Sequence, residues 1–194
     1  MIIGITGGTG SGKTTLLNLI KAQGGTILDC DAIYHELLQT DPAILHAIGA
    51  QFPGVVQNGV LDRKKLGAIV FADEQKLLQL NKITHRAVKE EVMKHLDGTL
   101  VAIDAIGLFE GDLASLCDVT VAVTAPLAQR IARLMQRDGI SEDYALSRIN
   151  AQHDDNWYLR QCDHVLQNNG SYEEFTANCL AFLRNLGIIN KTTE

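Results

Sequence analysis

The chain has 194 residues, 46% of them hydrophobic and 21% charged, the balance of an ordinary globular protein with room for one substantial core. A formal net charge of −6 argues against a nucleic-acid partner, which would call for a basic surplus. Four cysteines, Cys30, Cys117, Cys162 and Cys179, are widely spaced without a C-x-x-C pair, so they read as reduced thiols and not as zinc ligands.

Met1 leads straight into Ile2, Ile3 and Ile5. This β-branched run suits a central parallel strand and is too short for a signal peptide or a membrane span. The expected setting is the cytoplasm, with no membrane partner. The following residues fit G-x-x-x-x-G-K-[ST], with Gly7, Gly12, Lys13 and Thr14 at the fixed positions. Such a loop lets several backbone N–H groups converge on a phosphate chain at the positive end of the next helix. The stretch Gly8, Thr9, Gly10, Ser11, Gly12, Lys13, Thr14, Thr15 is therefore expected to hold ATP. Lys13 would reach the β- and γ-phosphates, and the Thr14 hydroxyl would ligate Mg²⁺.

Leu16, Leu17, Leu19 and Ile20 have helical spacing, and Gly24-Gly25 end that helix. Thr26-Ile27-Leu28 is a second short strand. Asp29 and Asp31 follow at the strand edge where open α/β sheets bind ligands. As i and i+2 of an extended segment they would point the same way, where they could help place Mg²⁺ and accept a proton from a hydroxyl. Asp31 equally suits the cap of the helix AIYHELL.

Residues 41–97 read as mostly helical. Pro42 fits the first helical position after Asp41, FPGVVQNG is a turn-rich break, and Asp62-Arg63 open a helix through LGAIVF. A long helix is predicted from about Glu74 to His95, with Leu77, Leu80, Thr84, Ala87 and Val88 along one stripe. It carries His85 and Arg86. This much helix between strands predicts a helical insertion into an α/β core.

The sheet resumes at Leu100–Asp104, where Asp104 either supports Mg²⁺ or simply closes a strand. Asp118–Val123 is another strand, and Pro126 starts the helix through RIARLMQR. Gly139 breaks it, and Ser141 starts YALSRINAQ. Arg130, Arg133 and Arg137 share one helix face, and Arg148 lies on the next helix. They read as a lid that closes over ATP and supplies charge to the transferred phosphoryl group, with a plain solvated face as the alternative. Val165-Leu166 is a last short strand. Ser171 caps a closing helix whose Phe175, Cys179, Phe182 and Leu183 face inward. There is no repeat and no long linker, so residues 1–194 form one domain.

The guanine-reading N-K-x-D pattern is missing, because Asn81-Lys82-Ile83-Thr84 lacks the aspartate. A phosphate loop, a helical insertion and an arginine-rich segment in a short chain suit a small-molecule kinase. A kinase for another small molecule or nucleoside, or a non-catalytic nucleotide-sensing module, are the alternatives.

From Ile3 to about Leu183 the chain also resembles the dephospho-CoA kinases. The strings that carry the resemblance are GITGGTGSGKTT, DCDAIYHELL, LDRKKLGAIVFAD, LNKITH, DAIGLFE, RLMQRDGISEDYALSRINAQ and CDHVLQNNGS. The resemblance implies transfer of the ATP γ-phosphate to the ribose 3′-hydroxyl of dephospho-CoA, with Mg²⁺. It implies a three-layer P-loop core like that of nucleoside-monophosphate kinases, with a five-stranded parallel sheet, in a chain expected to be monomeric. Residues 31–97 would be the helical acceptor-binding insertion and about 133–160 the lid. The core would be made of 1–30, 98–132 and 161–194. By matching position Asp31 is the base, and Lys13, Arg133 and Arg137 are its catalytic companions. Arg137 and Arg148 also bind ATP; Thr6, Asp31, His85 and Asp104 lie on the acceptor side. Three departures stand out: Arg86 follows His85 where the family has proline, Ile106-Gly107 replace Pro-Leu before Leu108-Phe109-Glu110, and Tyr158-Leu159 replace a Lys-Arg pair.

Overall fold

A computed structural model describes residues 1–189. In chain order the first half contains β1 (Ile2–Thr6), α1 (Lys13–Ala22), β2 (Thr26–Asp29), α2 (Cys30–Thr40), α3 (Pro42–Gln51), β3 (Val56–Gln57), β4 (Val60–Leu61), α4 (Arg63–Val70) and α5 (Glu74–Met93). The second half contains β5 (Val101–Asp104), β6 (Val119–Thr124), α6 (Leu127–Asp138), α7 (Glu142–Asn150), α8 (Asp155–Gln161), β7 (His164–Gln167) and α9 (Tyr172–Asn185).

Five strands pair in parallel in the order β2-β5-β1-β6-β7. Their side chains are apolar on both faces because both faces are covered, as parallel sheets require. On one face α1 and α9 bury Leu16, Ile20, Phe175 and Leu183 against Ile3, Ile5 and Val121. On the other face Val101 and Ile103 of β5 pack into a core shared with the inserted helices, through Leu37, Ile48, Val88 and Val92. The expected three layers, five-stranded parallel sheet and helical insertion are all present. Among the described residues no helix is long and apolar enough to cross a membrane.

Local chemistry starts most of the helices. Asp41, Asp62 and Asp73 each accept a hydrogen bond from a backbone N–H in the first turn of the helix that follows. Ser171 and Glu174 close a reciprocal capping box at α9. Two details differ from expectation. The segment FPGVVQNG and the two residues after it form a hairpin, β3–β4, whose Asn58 and Gly59 have φ of 52° and 76°, the positive pair of a tight I′ turn. Residues 155–161 form a helix, α8, that begins at Asp154, whose side chain accepts from the Trp157 N–H at 2.7 Å.

The strand order reverses beside β1, so the crevice of this sheet opens at the C-terminal ends of β1, β5 and β2. Asp104 pairs in register with Ile5 of β1 on one side and Asp29 of β2 on the other. The parallel register thus delivers two carboxylates to one level beside the glycine-rich loop.

Candidate active site

The loop leaves β1 abruptly. Gly7 has φ of 129°, and a Cβ there would lie 2.1 Å from the Val123 carbonyl oxygen in β6. Only glycine allows this exit beside a paired strand. Three side chains then hold the loop's carbonyls. Arg130 Nε donates to Thr9 O at 2.9 Å, and Asn168 Nδ2 donates to Ser11 O at 2.8 Å. Arg133 Nη1 donates to Gly10 O at 3.1 Å and to Ser11 O at 3.2 Å. In a trans peptide the C=O and the following N–H point oppositely. Fixing these carbonyls therefore fixes the aim of the N–H groups that follow, at a helix N-terminus that already favours anions.

The loop forms one wall of a cavity of about 460 Å³. Thr9, Gly10, Ser11, Gly12, Lys13 and Thr14 line that wall, while Asp29, Asp31, Asp104, Arg133, Arg137 and Arg148 line the others. Of the expected ATP-holding run, Gly8 and Thr15 stand behind it: Gly8 packs on Arg130, and Thr15 N donates to Gly12 O. Lys13 Nζ donates to Gly7 O at 2.8 Å. Burial holds the Lys13 pKa below the ordinary lysine value, against the opposing pull of Asp104 and Asp31. Burial also pushes the Asp104 carboxyl up to about 6; Lys13 pulls it down, and Asp29 and Asp31 push it further up.

Asp29, not Asp31, caps α2: its Oδ1 accepts from the Ala32 N–H at 3.0 Å. The turn into α2 comes immediately after Asp29, so the pair is not an extended i, i+2 couple. Asp31 sits in the first turn of α2, where the helix dipole favours a carboxylate. This frees its side chain for the cavity.

A second cavity of about 250 Å³ adjoins the first. Cys30, Tyr34, Thr84, His85 and Val88 line it, together with Asp31 and Ile106, which also line the first. His85 Nδ1 lies 3.1 Å from Glu110 O. Thr6 is fully buried and lines neither cavity; its hydroxyl donates to Ile106 O at 3.1 Å, so it touches the shared wall from behind. Arg86 bonds Glu90 at the surface and stays outside this second cavity.

Beyond the loop, Arg137 and Arg148 converge on Asp138, which accepts from Arg137 Nε and from Arg148 Nη1 at 2.6 Å each. Those two arginines, Arg137 first, hold the Asp138 carboxyl down to about 2. Arg130 behaves differently from its expected group: it is buried at 5% exposure and serves the underside of the loop. The periodicity showed a shared face but not that its first member, Arg130, turns inward. Tyr158, one of the departures, is a fully buried core residue of α8. Gln152, whose Oε1 accepts from the Thr9 N–H at 2.8 Å, and Asn168 were not singled out from the sequence. The only sequence signal for them was their place in polar strings after α7 and β7.

Thr14, Asp29, Asp31 and Asp104 bring only oxygen ligands to the first cavity, the donor set of a hard divalent cation such as Mg²⁺. Among the described residues no three acidic, His or Cys side chains form a metal cage by themselves. Mg²⁺ needs no such cage, since it is held by one or two protein oxygens with water and substrate phosphates.

The family profile of dephospho-CoA kinases matches residues 1–174. The chain belongs to the dephospho-CoA kinase family. A dephospho-CoA kinase from Bacillus licheniformis is 36% identical over 185 residues, covering 91% of this chain and 92% of the relative. One from Thermobifida fusca is 36% identical over 181 residues, covering 90% of each. The crystal structure of TT1252 from Thermus thermophilus superposes with a TM-score of 0.79 at 34% identity, over 96% of this chain and 97% of that one. A dephospho-CoA kinase from Campylobacter jejuni shares the fold at a TM-score of 0.66 and 22% identity, over 95% of this chain and 96% of that one. As a dephospho-CoA kinase family member the chain is an ATP-dependent phosphotransferase with a P-loop nucleotide site.

Proposed function

We propose that the chain transfers the γ-phosphate of ATP to the ribose 3′-hydroxyl of dephospho-CoA, giving coenzyme A and ADP, with Asp31 as the base. The observation that carries this assignment of roles is that Asp31 lines both cavities. One cavity has the loop amides, a lysine and arginines suited to a triphosphate. The other is walled by the inserted helices and suits the acceptor's nucleoside. A hydroxyl presented from the second toward the first meets Asp31 at the border.

In the proposed reaction the loop amides and Lys13 hold the β- and γ-phosphates in line with the acceptor oxygen. Asp31 orients the 3′-hydroxyl and takes its proton as the new P–O bond forms and the bond to the ADP oxygen breaks. Bound Mg²⁺ would supply charge neutralisation on the phosphate oxygens; Thr14 would hold it, with help from Asp29 or Asp104. Arg133, Arg137 and Arg148 supply positive charge around the transferred group and help exclude water. His85 positions the acceptor, and Thr6 supports Ile106 behind it. The inserted helices from α2 to α5 hold the acceptor, and the segment from Arg133 to Arg160 closes over ATP. We read the chain as a monomer, and its free cysteines suit the cytoplasm.

Incubation of the purified protein with ATP, Mg²⁺ and dephospho-CoA tests the reading. The expected product is coenzyme A, identified by mass and by its 3′-phosphate in NMR. Absence of product from folded protein that binds ATP would overturn it.

A further inference from the structure

α6 turns one arginine into the protein. Arg130 is buried, and its Nε donates to Thr9 O at 2.9 Å. Its Nη2 fills the space above Gly8: a Cβ on Gly8 would lie 2.0 Å from Nη2 and 2.6 Å from Cζ. Its Nη1 lies 3.6 Å from Asp155 Oδ1 at the start of α8. Arg130 Nη2, Asp155 Oδ1 and the Tyr158 hydroxyl are all buried and make no hydrogen bond among the described residues. A buried guanidinium requires a countercharge, and Asp155 is the carboxylate paired with it. From the same segment Gln152 Oε1 accepts from the Thr9 N–H. The Thr9 residue is thus held on both sides: its carbonyl from α6, its N–H from the turn between α7 and α8.

We infer that Arg130, seated by Asp155, is a positioning residue for the phosphate loop. It couples the shape of the loop to the seating of α8. Through Thr9 O it sets the peptide plane that aims the Gly10 N–H, and the glycine at position 8 exists to admit its guanidinium. Arg130 lines neither cavity, and its work is done on the loop. This rests on the reading of the first cavity as the nucleotide site.

Two measurements on the full chain decide the matter. In steady-state kinetics, Arg130→Lys retains the charge on one ammonium nitrogen but loses the planar fork. It is expected to raise the KM for ATP about tenfold while the KM for dephospho-CoA stays within about twofold. Asp155→Asn, which touches no nucleotide, is expected to move ATP binding in the same direction by a smaller factor. An unchanged KM for ATP in both variants, with only a lower thermal midpoint, would make the pair merely structural and overturn the inference. The second measurement is a cycle of Gly8→Ala, Arg130→Ala and the double variant, read by direct ATP titration. Gly8→Ala is expected to weaken ATP binding far less when Arg130 is already alanine, because the clash at Nη2 is gone. Equal losses in both backgrounds would show that Arg130 does not shape the loop at Gly8. Direct ATP titration needs no acceptor, so a wrong acceptor assignment would spoil the steady-state test but leave the titration cycle standing.

Discussion

Asp104→Asn isolates the competition between burial and ion pairing at the floor of the phosphate cavity. The folded-state pKa is pushed from the ordinary 3.8 to about 6, by burial first, against the pull of Lys13. Between those values the native state binds a proton that the unfolded chain does not. Stability therefore falls as pH rises from about 4 to about 6 and levels off above that. The gap between 3.8 and about 6 corresponds to about 3 kcal/mol at 1.4 kcal/mol per tenfold change. The side chain is only half-buried, so screening reduces the expected effect to about 1–2 kcal/mol. Asparagine cannot titrate. Denaturant unfolding of both proteins at pH 4, 5, 6, 7 and 8, without nucleotide, should show Asp104→Asn gaining about 1–2 kcal/mol relative to the parent across this range. A constant difference would refute burial as the dominant effect. A relative loss by Asp104→Asn as pH rises would show that Lys13 dominates and holds the carboxyl ionised.

Gly7→Ala and Gly24→Ala separate backbone strain from steric overlap. Both have positive φ, but a Cβ at Gly7 meets a β6 carbonyl at 2.1 Å while nothing lies within 4 Å of one at Gly24. Urea unfolding should show about 1 kcal/mol lost at Gly24 and about 3 kcal/mol or more at Gly7, with ATP binding lost only at Gly7; similar losses at both would remove the steric argument. Lys13→Met removes the ammonium whose charge opposes burial at the Asp104 carboxyl. Transfer should slow by about 10²-fold or more, and the Asp104 carboxyl, followed by carbon NMR, should titrate at still higher pH. Retention of both rate and titration would exclude Lys13 from the phosphate site. Asp29→Ala should cost about 1 kcal/mol of stability through the lost cap, whereas Asp29→Asn keeps an accepting oxygen and should cost little. Equal costs in thermal unfolding would assign the effect to charge.

The strand–loop–helix opening was legible because its apolar run, glycine spacing and Lys13-Thr14 each have a local physical meaning. Most caps were legible for the same reason, since Asp41, Asp62, Ser141 and Ser171 act on N–H groups within three residues. The cap of α2 fell to Asp29 and not to Asp31 because both can cap a helix, and the choice depends on the residue at which β2 stops. The hairpin at Asn58-Gly59 was within reach, as Asn-Gly between apolar residues is its signature. The helix α8 was not, because seven residues carry too little periodicity and its start rests on the Asp154 side chain. Arg130 was the largest loss. Its spacing from Arg133 and Arg137 showed which residues share a face. Which way that face turns is settled by Leu134, Ala145 and Ile149 packing α6 onto α7, and by Gly8 leaving room for a guanidinium. Such tertiary facts have no local signature.

The most direct measurement is single-turnover phosphoryl transfer by Asp31→Asn, with ATP and dephospho-CoA both saturating. The border carboxylate is read as the group that orients the acceptor hydroxyl and takes its proton. The rate should fall by about 10²-fold or more while the dissociation constants for ATP and dephospho-CoA stay within about threefold. Transfer at the parent rate, with both substrates bound, would contradict that role for Asp31.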